Sequence, residues 1–394
     1  MFENITEKLK NLNFLQKKSQ SFLGVDIGSS AIKVVQLKKE KGVAILETYG
    51  ELSLGPAGGT EVGRSTNLSD KQISASLINL LEESRVNVSE CGVCIPIRSA
   101  LVFDMEIPKM TEDQLKKIIP IEARRYIPVP ISEVILDWRI IPDDPLIDDE
   151  PDDIEKDNRP AINYNNYDKK DEKFKQGEKV KIFVVAIHKN AIERYQNIIK
   201  QAELSLNFLE IEIFSTIRSV IDHNISTVAM LDIGASVSKL YIVEYGVVKD
   251  SHIINKGSQD ISLAISRALG ISIKEAEEKK RAIDLENPAS SDKEIADVMA
   301  TNLKYIFIEA NKVLKRYQSI YNKNIKELIF TGGGSVIKGL PAFTSKNLEI
   351  NSQIADPFSK VRTPAFLDEV LKEIGPEFAV AVGLALRGLE DGNS

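Results

Sequence analysis

At 394 residues the chain is too long for one compact core and suits two lobes. Apolar residues at 43% and charged residues at 28% make an ordinary globular balance, and no apolar run of about 18 residues is present to span a bilayer. The formal charge of −7 comes without a basic stripe, which argues against a nucleic-acid binder, and two cysteines exclude a disulfide framework.

Residues 1–21 read as an amphipathic extension, with Phe2, Ile5, Leu9 and Leu12 at helical spacing. Such a helix either lies on a membrane surface, docks on a partner or packs on its own protein. Its apolar residues are too dispersed for a signal peptide, so a cytoplasmic chain is expected. A strand–turn–strand unit follows over Phe22–Leu37, then a strand near Val43–Glu51, a Gly-rich loop from Gly55 to Leu68 and a helix from Asp70 to Ser84. Cys91 and Cys94 have CxxC spacing inside an apolar run and lack companion ligands, so they read as core residues rather than a zinc site. Two strand-like runs, Cys91–Ile97 and Leu101–Ile107, lead to a helix opened by Thr111 and Gln114, a capping-box pair. That helix stops near Tyr126, ahead of Pro128 and Pro130. From Asp143 to Glu178 there are 13 acidic and 6 basic residues, which accounts for the whole net charge. With so few apolar residues the stretch reads as a disordered insertion. The strand Val180–Ile187 and a helix to Glu203 resume the fold.

The second half repeats the first. Val228–Val243 aligns without gaps onto Phe22–Leu37, and Asp26/Asp232, Gly28/Gly234, Ser30/Ser236 and Lys33/Lys239 are identical pairs offset by 206 residues. Two such units imply duplicated lobes about a pseudo-two-fold axis. In each Asp-Ile-Gly-x-Ser turn the glycine admits a tight bend and lets backbone N–H groups approach a phosphate, the serine adds a donor, and the aspartate can face a phosphate-bound Mg²⁺. Helices dominate from Gly257 to Tyr321, a strand over Glu327–Phe330 ends in Thr331-Gly332-Gly333-Gly334-Ser335, and a last helix runs from about Pro376 to Leu389. Three glycines after a strand allow the backbone to lie against a flat ligand.

Phosphate-1, phosphate-2 and adenosine-type loops in this order resemble the actin/Hsp70/sugar-kinase superfamily. The resemblance implies an α/β, actin-like ATPase fold: two RNase-H-like lobes around a nucleotide cleft, with ATP or ADP and Mg²⁺ as cofactors. It carries nucleotide contacts onto Gly28, Ser29, Ser30, Lys33, Gly234, Ala235, Ser236, Gly332, Gly333, Gly334 and Ser335, and metal-side roles onto Asp26 and Asp232, directly or through water. Ala276–Lys280 is similar to the adenosine-side helix of the FtsA/PilM branch, which makes Glu277 and Lys280 ribose or base candidates; a solvated i,i+3 ion pair is the competing reading. Glu212 stands where relatives place a water-orienting glutamate, but Ile213 replaces the usual proline, so slow or no hydrolysis is expected.

Met105–Leu115, Ile121–Pro130 and Glu133–Trp138 resemble the inserted small α+β subdomain of the PilM family. The implied organisation is an extension (1–21), a first lobe (22–97, resumed at 186–224), an insertion (98–185), a second lobe (225–258 and 326–375) holding a helical subdomain (259–325), and a returning C-terminal segment (376–394). The implied function is an ATP-binding scaffold of type IV pilus assembly, peripheral to the inner membrane. Its partners would be the cytoplasmic tail of PilN and other pilus assembly proteins, with self-association possible in principle and no nucleic acid. Ile118, Ile121, Tyr126 and Ile127 are the candidate tail contacts, with the subdomain's own core as the alternative use of each. An FtsA-like cell-division actin fits less well, because the chain does not end in an amphipathic helix. A small-molecule kinase of the same superfamily fits least, because no aspartate is evident to deprotonate a substrate hydroxyl.

Overall fold

The computed structural model describes residues 21–141, 178–221, 227–244 and 246–391. The amphipathic extension, but for Ser21, and the acidic insertion, but for Glu178, lie outside the described residues. Residues 97–192 cluster as one compact unit, and the other described residues form a second.

The larger unit begins with a meander of β1 (Ser21–Ile27), β2 (Ala31–Glu40) and β3 (Val43–Ser53). After α1 (Asp70–Glu83), capped by Ser69, the strand β4 (Glu90–Ile95) pairs parallel with β1. Four successive residues of β1, Phe22–Val25, are buried, because one sheet face meets helices and the other the rest of the lobe.

The smaller unit holds β5 (Ala100–Pro108), α2 (Glu112–Ala123), β6 (Val134–Ile141) and β7 (Lys179–His188). The sheet runs β5–β7–β6 and is antiparallel throughout. At the start of α2 the Thr111 N–H donates to Gln114 Oε1 at 3.0 Å, half of the expected capping box. Leu115 and Ile119 turn inward from α2 onto Met105, Ile107, Ile182 and Val184.

The chain returns through α3 (Lys189–Gln201) to β8 (Ser205–Ile211), parallel to β4, and α4 (Glu212–Val220). The second lobe then repeats the first. Its meander is β9 (Thr227–Ile233), β10 (Ser238–Glu244) and β11 (Val247–Ile254). Helices α5 (Ser258–Leu269), α6 (Ile273–Ala282) and α7 (Lys293–Tyr321) follow, then β12 (Glu327–Thr331), α8 (Leu340–Leu348) and β13 (Asn351–Ile354). The two five-stranded sheets have matching orders, β3–β2–β1–β4–β8 and β11–β10–β9–β12–β13, with the same parallel and antiparallel pairs. Apolar residues of α7 at helical spacing (Met299, Leu303, Ile306, Phe307, Ala310) fill the core over β9 and β10. The chain closes with α9 (Asp368–Ile374) and α10 (Ala379–Asp391).

The sequence pattern does not announce β8, α4, β11, α8, β13 or α9. β8 runs straight into α4, so the apolar run changes period with no breaker between, and β13 has four residues of mostly polar character.

Helix α10 completes the first lobe by approaching it at backbone distance. A Cβ on Gly24 would stand 2.0 Å from Ala381 O, one on Gly383 1.9 Å from Ser215 O, and one on Gly388 2.0 Å from the Phe22 ring. Charge locks the same joint. Glu210 accepts from Arg218 Nη1 and Nη2 (2.8 and 2.9 Å), Arg387 Nη1 (2.8 Å) and Ser215 Oγ (2.6 Å), and Arg387 also stacks 4.2 Å over the Phe208 ring. Burial alone would raise the Glu210 carboxyl, but the two arginines outweigh it and bring it from 4.5 to about 2.

Two outcomes follow from this joint. Gly24→Ala is expected to cost about 2–3 kcal/mol in urea denaturation, whereas Gly375→Ala, whose Cβ would meet nothing nearer than 3.4 Å, changes stability by less than about 1 kcal/mol. Because the folded Glu210 carboxyl is depressed, its contribution is complete above pH 4.5 and fades as pH falls toward 2. Glu210→Gln should therefore lose on the order of 3 kcal/mol at neutral pH and show a flatter acid decline in that window than the parent.

Candidate functional site

The two Gly-Ser turns have the same backbone. Gly28 N–H donates to Ala31 O at 3.0 Å, and Gly234 N–H donates to Val237 O at 3.0 Å. Flanking segments take up the carbonyls of both turns. Thr66 N–H and Leu54 N–H reach Ser29 O and Ser30 O (2.9 and 2.8 Å), while Ser258 N–H and Gln259 N–H reach Gly234 O and Ala235 O (2.9 and 3.0 Å). The tips of the two turns meet, with Ser29 Oγ 3.4 Å from Ser236 Oγ. Thus the predicted phosphate residues Gly28, Ser29, Ser30, Gly234, Ala235 and Ser236 stand in one place.

Below the tips lies a set of charges. Asp26 and Lys33 are register partners, as are Asp232 and Lys239. Asp26 Oδ1 accepts from Cys94 Sγ at 3.0 Å, and Lys33 Nζ stands 3.5 Å from Glu51 Oε1. Burial raises the Asp26 carboxyl even against Lys33, and it also holds the Cys94 thiol far above its ordinary value, with Asp26 and Glu212 adding to it. Burial works against the Lys33 ammonium, but Glu51, Glu377 and Asp26 together push it above its ordinary value. In the second lobe Lys239 Nζ bridges Glu212 Oε2 (2.8 Å) and Asp232 Oδ2 (3.0 Å). Burial again opposes that ammonium, and the two carboxylates prevail, holding it well above its usual value.

The Gly332–Ser335 loop is tightly placed. Gly332 has φ +81° and its N–H donates to Pro376 O at 3.0 Å; a Cβ there would lie 2.2 Å from Asp232 Oδ1. Gly333 faces Glu377, whose Oε2 a Cβ would meet at 3.1 Å, while Gly334 packs on Ile233 and Ser335 Oγ returns to Gly332 O at 2.6 Å. Glu277 and Lys280 lie on α6 and are not a solvated pair. Lys280 is only 3% exposed, and its Nζ donates to Glu277 Oε2 at 2.6 Å and to Ser258 O at 3.3 Å. Ser262 and Arg281 also reach Glu277 (2.5 and 3.1 Å). Burial would raise the Glu277 carboxyl, yet these partners lower it; burial lowers the Lys280 ammonium despite Glu277. The Gly-rich loop approaches this helix at Gly63, and Ser65 N–H donates to Gln259 Oε1 at 3.1 Å, so the two lobes touch beside the turns.

A family model described as type IV pilus assembly protein PilM matches residues 24–156 and 164–389. The chain belongs to the PilM family. A solved structure described as the PilM–PilN type IV pilus biogenesis complex is similar at 24% identity and a TM-score of 0.73, over 95% of this chain and 99% of that one. The ethanolamine utilization protein EutJ from Carboxydothermus hydrogenoformans is similar at 14% identity and a TM-score of 0.53, over 98% of this chain and 99% of that one. MreB5 of Spiroplasma citri bound to ADP is similar at 11% identity and a TM-score of 0.53, over 96% and 98%. The actin-like ATPase fold expected from the sequence is thereby established.

In this PilM-family chain the inserted unit separates the four candidate tail contacts. Ile127 is buried in a small core with Ala123, Val134 and Ala186, and Ile118 is half-buried. Ile121 and Tyr126 are 57% and 48% exposed, with Tyr126 stacked on Phe103 at 4.8 Å between ring centroids. Among the described residues no helix is long and apolar enough to cross a membrane.

Several residues around the two turns carry little signal in the sequence. Cys94 reads as core from its apolar neighbours, and nothing local to Gly375–Phe378 announces Glu377. Lys239 does carry a signal, the Asp-x₆-Lys spacing present in both copies, but its tie to Glu212 arises only from tertiary placement.

The buried pair on α6 yields a contrast. Lys280→Met should destabilise the protein by about 2–4 kcal/mol, since Glu277 stays buried with a partner lost. Arg281→Met, at a side chain 53% exposed, should cost under about 1 kcal/mol. Urea titration of both variants checks the difference.

Proposed function

We propose that this chain is a nucleotide-binding scaffold of type IV pilus assembly that takes ATP or ADP with Mg²⁺ in its cleft and binds the cytoplasmic tail of PilN. The observation that carries the nucleotide reading is the meeting of two turns of the same Asp-Ile-Gly-x-Ser pattern, Ser29 against Ser236, each with its aspartate at the strand end. The residues present fit such a ligand. Thr331, Asp232, Lys239 and Tyr241 share one sheet face by register, and the Thr331 and Tyr241 hydroxyls are buried there without hydrogen-bond partners among the described residues. Ligand oxygens or ordered water satisfy groups of this kind.

The tips Gly28–Ser30 and Gly234–Ser236 would hold the phosphates, with Lys33 behind them. Gly332–Ser335 would line the adenosine side, with Glu277 and Lys280 as its polar wall. Asp26 and Asp232 would orient Mg²⁺ through its water shell, in keeping with an ion that leans on one or two carboxylates and on phosphates. Bound nucleotide would supply the negative charge that the backbone N–H groups of both turns offset. Glu212, tied to Lys239, is poorly placed to orient an attacking water, which supports slow turnover or none.

On the inserted unit, β5 is an edge strand and Ile121 and Tyr126 present apolar surface nearby in sequence to its partner helix. An extended tail adding to a strand edge, with side chains seated on such residues, is a common docking mode. The solved complex titled PilM–PilN, at 24% identity, supports PilN as the partner, and with it a place at the cytoplasmic face of the inner membrane.

Titration with a peptide copying the N-terminal cytoplasmic tail of a PilN from the same organism tests the reading. Saturable binding is expected, weakened at least about tenfold by Ile121→Asp. Unchanged affinity in that variant would move the docking surface elsewhere, and no binding at all would defeat the partner assignment.

A further inference from the structure

The proposed function gives the amphipathic extension no task, yet the fold fixes where that segment joins the first lobe. Ser21 is the register partner of Lys38, Lys38 of Ile45, and Ile45 is bridged to Arg362, whose N–H donates to Ala44 O at 2.8 Å. These four residues form one row across the sheet, so Arg362 lies about 15 Å from Ser21 at the usual strand spacing. Four residues beyond Arg362 comes Phe366, at 81% the most exposed large apolar side chain among the described residues. Val370, 44% exposed, follows at the i,i+4 spacing that shares a helix face. Leu367 and Leu371 turn the other way, onto the first-lobe core. The segment leading into α9 thus shows apolar surface on the side where a surface helix is ordinarily polar. Exposed Asp368, Glu369 and Glu373 rim it, with Lys372 the single cation of α9.

Reach and charge both name the extension as the occupant. Phe366 stands within about 30 Å of Ser21, and residues 13–20 alone reach about 26 Å before the apolar segment adds its own length. Residues 1–20 carry Lys8, Lys10, Lys17 and Lys18 against Glu3 and Glu7, a sign opposite to that of the rim. An anionic lipid surface, or a second copy presenting the same face, would meet like charge there.

We propose that residues 1–12 dock as an amphipathic helix on the Phe366/Val370 face of their own chain. Ile5, Leu9 and Leu12 turn onto that face, and Lys8 and Lys10 lie toward its acidic rim. The apolar stripe of the extension is thereby withheld from other surfaces. This inference is independent of the nucleotide and PilN readings.

The test is amide hydrogen exchange in the full chain, read by mass spectrometry. Amides of residues 2–12 should exchange at least about tenfold more slowly in the parent than in the variant Phe366→Asp/Val370→Asp. Leu9→Asp should release them likewise. The altered side chains at 366 and 370 are on the surface, so unchanged protection of β1 shows that the variant folds. Free exchange of the extension in the parent overturns the inference. So does protection that survives Phe366→Asp/Val370→Asp, because the extension then docks elsewhere. Protection that falls on dilution points to a second copy, and protection seen only with phosphatidylglycerol vesicles to a membrane; either result overturns docking on the chain itself.

Discussion

The register of one central strand in each lobe decides where the paired charges Asp26/Lys33 and Asp232/Lys239 stand. β1 is bonded antiparallel to β2 on one side and parallel to β4 on the other, and β9 is bonded likewise to β10 and β12. A slip of one residue would turn each side chain to the opposite face and mismatch the packing on both covered faces, where Leu23, Val25 and Leu231 are now fully buried. Hydrophobic burial therefore pins the register, and the register carries the chemistry. The aspartate at the penultimate position of each central strand faces a lysine across the hairpin. Cys94 on one side and Thr331 on the other follow from the parallel pairings.

That register is held from behind by the end of the chain. Helix α10 lies so close to β1 and α4 that three glycines have no room for a methyl group. The close approach places the Ala381–Ala385 backbone where the first sheet needs cover, and Arg387 completes the buried ion network around Glu210. Residues more than 160 positions apart thus share one joint, so the first lobe is a product of both ends of the sequence. A network with several satisfied acceptors resists the loss that an isolated buried charge would suffer.

Much of this is legible in the sequence, and the reason is repetition. Asp26 to Lys33 and Asp232 to Lys239 match by residue type and spacing alone, because a turn that needs a glycine and a serine at fixed places tolerates little variation. Thr331–Ser335 is legible for a like reason. What stays hidden depends on packing between distant segments. Glu377 reaches Gly333 and Arg281 only through the return of the C-terminus. Glu277 and Lys280 have the i,i+3 spacing of a surface pair, and only the neighbouring helix α5 buries them, through Ser258 and Ser262. Ile127 is as apolar as Ile121, yet one faces a core and the other solvent, a distinction that the end of α2 settles rather than composition.

The two lobes are joined by more than the touching serines. Glu212 of the first lobe is paired with Lys239 of the second, Ser65 with Gln259, and Arg281 stands 3.8 Å from Glu377. The first of these contacts matters most energetically. Breaking it while either charge stays out of water costs on the order of 3–5 kcal/mol, so the lobes separate cheaply only where water follows the charges in. A ligand changes the balance between open and closed forms solely through its differential affinity for them. With an ionic tether already in place, the closed arrangement does not wait on nucleotide to bring the turns together. A nucleotide bound as proposed would meet turns already held together, which fits the proposed role of presenting a constant surface to partners.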